Sequence, residues 1–432
     1  MTLALLGFAT VLLFIILIMT KRMSAAAALI AIPIAGGLLA GAGPRLGDMM
    51  LDGIVDVAPI ATMLAFAVLY FAVMMDSGLF DPLVNRILAM VGDDPVRIAI
   101  GTMALSSLVS LDGDGTTTAL IVITSMLPLY RAIGMNPLIL ATLLGSSNAI
   151  MNLLPWGGPS ARAAAAVKVD LVHDVFLPLV PAMLIALATL AALAWWLGTR
   201  ERARLGWKPN GRAMPAPPVA ADRPERRPRL FWFNLLLTAA LMTGMVTGIA
   251  PLPVLIMGAL AVALTVNYPR LSDQRERIAT HADNVVMVVV LIFAAGAFTG
   301  IMGGTGMTDA MARSLLAGVP ETFGPYLAPI TALLALPLTF VMSNDAYYFG
   351  VVPVLAHAGE AYGISAEAIA RASLMGGPVH SLSPLLAPVY LACGLLGVDV
   401  ADAQRFALKY AVGISLAMTV AAIATGAIPL AA

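Results

Sequence analysis

Ten stretches of the chain are apolar and long enough to cross a lipid bilayer as helices, each needing about 20 residues. They begin near Leu3, Ala25, Val55, Pro137, Val175, Phe231, Pro251, Asn284, Ala366 and Phe406. A chain of 432 residues that is 60% hydrophobic and 11% charged has too little polar surface for a water-facing globule; an ordinary soluble domain carries roughly 25% charged residues. The reading is therefore an all-α polytopic membrane protein. The run Leu3 to Met19 has no basic segment before it and no small-residue cleavage site after it, so an uncleaved first span is expected. The 24 Lys and Arg balance the 24 Asp and Glu, which gives no electrostatic pull toward nucleic acid. The single cysteine, Cys393, leaves no internal disulfide to form.

Two further apolar stretches, Val96 to Tyr130 and Tyr326 to Leu355, are interrupted by polar residues. The first carries Ser110, Asp112, Gly113 and Asp114; the second carries Ser343, Asn344 and Asp345. Each reads either as two short spans or as a re-entrant helical hairpin. Basic residues favour cytoplasmic loops and choose between the two. With residues 200–229 placed inside and both stretches treated as hairpins, 19 of the 24 Lys and Arg fall inside and four outside. Both termini are then outside and the linker is cytoplasmic.

The basic, Pro-rich linker separates two halves that read in the same order. Each has two plain spans, then a third opening with an acid (Asp56, Asp283), then Gly-x-x-Asp (Gly78 and Asp81; Gly306 and Asp309). A broken hairpin follows, then a span interrupted by Gly-Gly-Pro (Gly157 to Pro159; Gly376 to Pro378), then a closing span. Five spans per half force the second half to enter from the opposite side. That is the inverted-repeat plan of secondary transporters, whose sites form where discontinuous helices meet near the midplane. The domains expected are a first repeat at 1–199 (scaffold 1–92, hairpin and transport part 93–199), the linker at 200–229, and a second repeat at 230–432 (scaffold 230–319, transport part 320–432).

Charges at bilayer depth are costly and persist where they pair or bind something. They gather at the first tip, SLDGDGTTT, with Asp112, Asp114 and Thr116 to Thr118, and at the second tip, MSNDAYYFG, with Ser343, Asn344 and Asp345. The Gly-Gly-Pro breaks expose backbone groups. Beyond the first lie Ser160 and Arg162, whose planar fork suits a carboxylate. Beyond the second lie His380, Ser381 and Ser383. Around one cavity these groups offer oxygen ligands for a hard divalent cation, donors for carboxylates and protonatable sites, a set that suits a metal-bearing organic anion.

Each has a plainer role beside it. Asp112 and Asp114 could cap the following helix. Arg162 could neutralise an aspartate as a structural pair, and His380 could be a core histidine bonded to a carbonyl. A calcium loop starting at Asp112 would need Glu at its twelfth position, which is Ile123. Asp56, Asp283, Asp81 and Asp309 read as helix caps, the Gly303, Gly304, Gly306 cluster as a loop, and His173, His281 and His357 as solvated.

At SLDGDGTTT (110–118), LPWGGPSARAA (154–164), MSNDAYYFG (342–350) and MGGPVHSLSP (375–384) the chain resembles the citrate-metal/proton symporter family (CitMHS), part of a larger ion transporter group that includes sodium-coupled dicarboxylate carriers. The resemblance runs along nearly the whole chain, the linker excepted. It implies an elevator-type inverted repeat, a homodimer in the inner (plasma) membrane, and proton-coupled uptake of citrate complexed with a divalent cation such as Mg or Ca, with no permanent cofactor. Carried over position by position, the substrate-contacting set is Asp112, Gly113, Thr116, Asn152, Gly158, Ser160, Arg162, Ser343, Asn344, Gly377, His380 and Ser381. The proton-coupling or metal-proximal groups are Asp112, Asp114, Asp345 and His380, with Asp112, Asp114 and Asp345 nearest the metal. The tips carry Asp where the sodium-coupled relatives have Thr in Ser-Asn-Thr motifs, which weighs against sodium coupling. Two rival readings are a sodium-coupled di- or tricarboxylate symporter of the same fold and an intramembrane metal-dependent enzyme. No nucleophile with a paired base is evident for the latter.

Overall fold

The computed structural model describes residues 3–112, 115–208, 224–318 and 322–432, and the regular elements among them are helical throughout. Gly113 and Asp114, and the side chain of Asp112, lie outside the described residues. The first half runs α1 (Leu3–Met19), α2 (Ala25–Leu39), α3 (Leu46–Asp76), α4 (Asp81–Val91), α5 (Pro95–Val109), α6 (Gly115–Ile133), α7 (Pro137–Met151), α8 (Gly158–Val167) and α9 (Leu177–Leu205). The second runs α10 (Phe231–Thr247), α11 (Leu252–Asn267), α12 (Leu271–Thr280), α13 (Ala282–Gly304), α14 (Met307–Gly318), α15 (Leu327–Val341), α16 (Val352–Glu360), α17 (Ala366–Ser373), α18 (Gly377–His380), α19 (Ala387–Leu396) and α20 (Val400–Ala424).

Among the described residues, seven helical segments are long and apolar enough to cross a membrane. The anticipated spans at α1, α2, α7 and α11 come out shorter. Local chemistry ends them. Past α2, Gly41 takes a left-handed φ of +79°, and Gly248 (φ +63°) with Pro251 parts α10 from α11. The run from Ala366 is not one span either. It is α17, a 3₁₀ turn at Leu374–Gly376, the four-residue α18, and then α19 after a non-helical stretch. Helix α3 starts at Leu46 rather than near Val55, because Asp48, Asp52 and Asp56 recur at one-turn spacing on its exposed face and continue the helix.

Two expected roles change with this. Asp56 is mid-helix and caps nothing; its carboxylate sits 2.7 Å from Lys168 Nζ. Gly303 and Gly304 finish α13, and of that cluster Gly306 (φ +73°) is the residue outside any helix. Asp81, Asp283 and Asp309 stand in the first turns of α4, α13 and α14, where a carboxylate complements the helix dipole. His281 is not merely solvated: its Nε2 lies 2.9 Å from Asp76.

The two halves meet most closely where α3 crosses α13. A Cβ on Gly296 would stand 2.6 Å from the Gly53 carbonyl oxygen, and one on Gly53 would stand 2.8 Å from Gly300 Cα, so backbone packs on backbone. Bilayer helices associate through small residues in this way, because lipid supplies no hydrophobic drive between them. Buried polar groups supply a second kind of tie. Asn234 of α10 and Asn267 of α11 exchange amide hydrogen bonds of 2.9 and 2.8 Å.

Beyond the linker the chain is held where it re-enters the helices: Arg227 donates its backbone N–H to Ser77 O at 2.9 Å, and Arg226 pairs with Asp81 at 3.0 Å. The end of α9 is tied to the foot of the first hairpin by Arg202, which forks onto Asp94 with Nε 2.7 Å from Oδ1.

Candidate substrate cavity

Both broken stretches fold as helix, break, helix. In the first, α5 and α6 flank a 3₁₀ turn at Ser110–Asp112; in the second, α15 leads through Ser343–Asp345 into a π-helical turn, Ala346–Val351, and α16. Both Gly-Gly-Pro sequences interrupt helices. At the first, a Cβ on Gly157 would lie 3.0 Å from Asn152 Cα, so only glycine allows the chain to fold back and start α8. At the second, a Cβ on Gly376 would lie 2.7 Å from Thr339 Oγ1, which lets the break press against α15.

These features converge. A cavity of about 300 Å³ is lined by Asn152, Gly158, Arg162, Asn344, Gly377, His380 and Ser381, with Gly115, Asn148, Tyr348 and Cys393 completing its polar and sulfur-bearing wall. Seven of the sequence-predicted residues therefore share one chamber, built from both halves. Arg162, in its wall, donates from Nε to Asp345 Oδ1 at 2.7 Å, with the two side chains 15% and 14% exposed, and Asp345 itself is outside the lining. The first two turns of α8, carrying Gly158, Pro159 and Arg162, also border the chamber. The backbone N–H groups and positive dipole end of α8 suit an anion. The opposing tip is joined to the first break by Trp156, whose Nε1 donates to Leu111 O at 2.7 Å while its ring stacks on Phe71 of α3 at 4.2 Å.

The remaining predicted residues are placed otherwise. Ser160 is buried and donates to Leu153 O at 3.0 Å, closing the break before α8. Ser343 Oγ accepts from Ala346 N–H at 3.2 Å and starts the π turn. Thr116 is exposed in the first turn of α6, beside cavity-lining Gly115. The expectations for Asp114, Gly113 and the Asp112 carboxylate concern positions outside the described residues.

Sequence reasoning missed Asn148. Its Nδ2 donates to Ser110 Oγ at 3.2 Å and its Oδ1 accepts from Asn152 Nδ2 at 3.0 Å, so it joins the first tip to the first break. The Asn-x-x-x-Asn spacing just before the Gly-Gly-Pro break was the available signal. His380 Nδ1 lies 2.6 Å from Thr339 O, the carbonyl bond weighed from sequence, and the ring also lines the cavity. Among the described residues no three His, Cys, Asp or Glu side chains come together as a metal site.

The chamber can hold a small polycarboxylate: cation and dipole at α8, hydroxyl and amide groups around it, and no resident metal cluster among the described residues. The citrate transporter family (CitMHS) matches residues 4–376. A Bacillus subtilis citrate transporter is 52% identical over 99% of both chains, and the Mg(2+)/citrate complex secondary transporter of the same organism is 48% identical over 99% of both. The fold is similar to the crystal structure of the Alcanivorax borkumensis YdaH transporter, with a TM-score of 0.66 and 16% identity over 98% of this chain and 100% of that one. It is also similar to Neisseria gonorrhoeae MtrF, with a TM-score of 0.61 and 15% identity over 90% and 84% of the two chains. The chain is a multi-span membrane protein, a transporter rather than an enzyme, and it belongs to the citrate transporter family, CitMHS.

Proposed function

We propose that the protein takes up citrate complexed with a divalent cation, coupled to protons, by alternating access. The observation that carries this is the Arg162–Asp345 contact, which ties the chamber-lining Arg162 of the first interrupted helix to the second broken stretch. The relatives named for citrate and for the Mg(2+)/citrate complex support the substrate class.

Charge counting supplies the mechanism. Citrate at three minus with a divalent metal leaves a complex of about one minus. Arg162 and the N-terminus of α8 hold its carboxylates, while Asp112, Asp114 and Asp345 approach the metal side or, with His380, carry the coupling proton. The contact set remains the one inferred above: Asn152, Gly158, Asn344, Gly377 and Ser381, which line the chamber, together with Asp112, Gly113, Thr116, Ser160 and Ser343. An unpaired charge resists crossing hydrocarbon. Protonation together with the metal complex makes the moving unit nearly neutral, so the loaded carrier crosses while a half-loaded one stalls.

In this reading the chain is an inverted repeat working as an elevator. Residues 93–199 and 320–432 slide against a scaffold of 1–92 and 230–319. The glycine-packed α3–α13 crossing, between the third spans of the two halves, supports a rigid scaffold. The protein acts as a homodimer in the inner (plasma) membrane, with linker 200–229 cytoplasmic and both termini outside. Labelled-citrate uptake into proteoliposomes, across a panel of divalent cations and with or without a proton gradient, tests the reading. Metal-dependent uptake driven by the gradient is expected. Uptake that needs sodium, and stops when choline replaces it, would overturn proton coupling.

A further inference from the structure

Two residues that line the chamber hold a buried acceptor without a hydrogen-bond partner among the described residues, Asn152 Oδ1 and His380 Nε2, and only the second is on a titratable ring. The ring is 7% exposed, and Nε2 is a buried polar atom with no hydrogen-bond partner among the described residues. The other ring nitrogen is fixed. Thr339 O belongs to the last turn of α15, where carbonyls lack intrahelical donors, and a carbonyl can only accept, so Nδ1 carries the hydrogen. Ser383 serves the next orphan, donating to Phe340 O at 2.7 Å. A proton on Nε2 as well would add a second buried cation to a chamber that Arg162 already lines, so with substrate bound the coupling proton rests on a carboxylate and the His380 ring is neutral. Nε2, on a ring that lines the chamber, is therefore a lone-pair acceptor, as Asn152 Oδ1 is, whereas Arg162 and the start of α8 are donors to carboxylates.

Carboxylates cannot satisfy an acceptor. We infer that His380 Nε2 accepts the hydrogen bond of the substrate's hydroxyl group, making His380 the residue that selects hydroxy-polycarboxylates over the same acids lacking the hydroxyl. The inference rests on the metal-citrate reading and names the part of that substrate His380 recognises. A hydroxyl drawn toward a bound cation is the more acidic donor. A hard cation such as Mg²⁺ itself prefers oxygen to imidazole, so the hydroxyl is the better partner for Nε2. Sites that reserve a buried acceptor for a hydroxyl reject the deoxy analogue strongly, because binding it leaves that acceptor unpaired.

The test compares citrate with tricarballylate, the same three carboxylates without the hydroxyl, each titrated with Mg²⁺ into purified full-length protein by calorimetry. The wild type should bind citrate at least about tenfold more tightly. His380→Asn keeps an N–H where Nδ1 stood and so keeps the Thr339 contact, but it has no group at the Nε2 position. It should lose about tenfold for citrate and less than about twofold for tricarballylate. An unchanged citrate-to-tricarballylate ratio would overturn the proposal. So would an equal loss for both acids, which would put Nε2 on the metal. Should the variant not fold, ¹⁵N-histidine spectra of the wild type decide: the His380 Nε2 resonance should move with Mg²⁺–citrate and stay with Mg²⁺–tricarballylate, and equal movement would refute the assignment. Failure of the wild type to bind either acid with any divalent cation would instead remove the underlying substrate reading.

Discussion

Arg162 and Asp345 stand 183 residues apart in sequence, and their side chains meet at 2.7 Å. The pair is asymmetric in its consequences. Removing Asp345 leaves a cation at bilayer depth without its partner, whereas removing Arg162 takes away the cavity's cationic side chain. Breaking a fully buried pair costs about 3–5 kcal/mol; with a seventh of each side chain accessible, about 2–3 kcal/mol is expected here. Asp345→Asn should therefore lower the melting temperature, keep measurable Mg²⁺–citrate binding through Arg162, and abolish proton-driven accumulation. Arg162→Ala should weaken citrate binding by about a hundredfold or more, and Arg162→Lys should rescue little of it, since a point charge cannot fork onto two acceptors. Calorimetry with counterflow in proteoliposomes separates these outcomes.

Lys168 with Asp56, at 2.7 Å, joins the proposed moving part to the proposed scaffold. Lys168 ends α8 in a left-handed conformation, φ +58°, which side chains with a Cβ adopt at a cost. Both partners are more than two-fifths exposed, so the ion pair stabilises the fold by less than about 1 kcal/mol. Relief of the backbone should match or exceed that. Lys168→Gly is expected to leave the melting temperature unchanged or raised, and Lys168→Ala to lower it. A lower melting point for the glycine variant would mean that the ion pair outweighs the strain.

The breaks in the two polar-interrupted stretches and the Gly-Gly-Pro interruptions were legible in the sequence because each is a local event. Polar residues or glycines inside an apolar run stop a helix wherever it packs. Arg162's partner was not legible, since sequence offered three aspartates and only tertiary placement picks Asp345. Asn148 was hidden by its neighbours: one amide in an apolar helix looks like a packing residue until Ser110 and Asn152 are seen on either side of it. Asp56 misled for the opposite reason. An acid near the start of a hydropathy window looks like a cap, yet helix α3 had already run through the exposed Asp48 and Asp52.

At the foot of the first hairpin, Asp94 caps α5 through Val96 N–H at 3.0 Å and receives the Arg202 fork. Burial pushes its carboxyl up, but the Arg202 and Val96 hydrogen bonds and the charges of Arg202 and Arg97 outweigh burial and hold it below the ordinary carboxylate range. A folded value below the unfolded one contributes stability that is full above the unfolded value and fades as pH falls through the folded one. Wild-type melting temperature should thus fall on acidification below about pH 4. Asp94→Asn keeps a good cap but loses the charge, so it should melt lower at pH 7 and show a flatter acid limb. Melting curves from pH 7 to pH 3 check both, and a parallel acid limb in the variant would assign the pH dependence to other carboxylates.

The α3–α13 crossing gives the sharpest stability test. A methyl group on Gly53 would press on Gly300 Cα at 2.8 Å and Gly300 N at 2.9 Å, both backbone atoms of a helix that cannot rotate out of the way. Overpacking of this kind costs about 1–3 kcal/mol. Gly413, inside α20, has open space around the same hypothetical methyl, and there alanine's better helix propensity is worth up to about 1 kcal/mol. Gly53→Ala should lower the melting temperature and Gly413→Ala should leave it level or raise it. If α3 and α13 form the stationary frame, Gly53→Ala should leave the affinity for Mg²⁺–citrate within about twofold of the wild type while it destabilises. Loss of affinity in step with stability would instead place this crossing among the parts that rearrange with the substrate chamber.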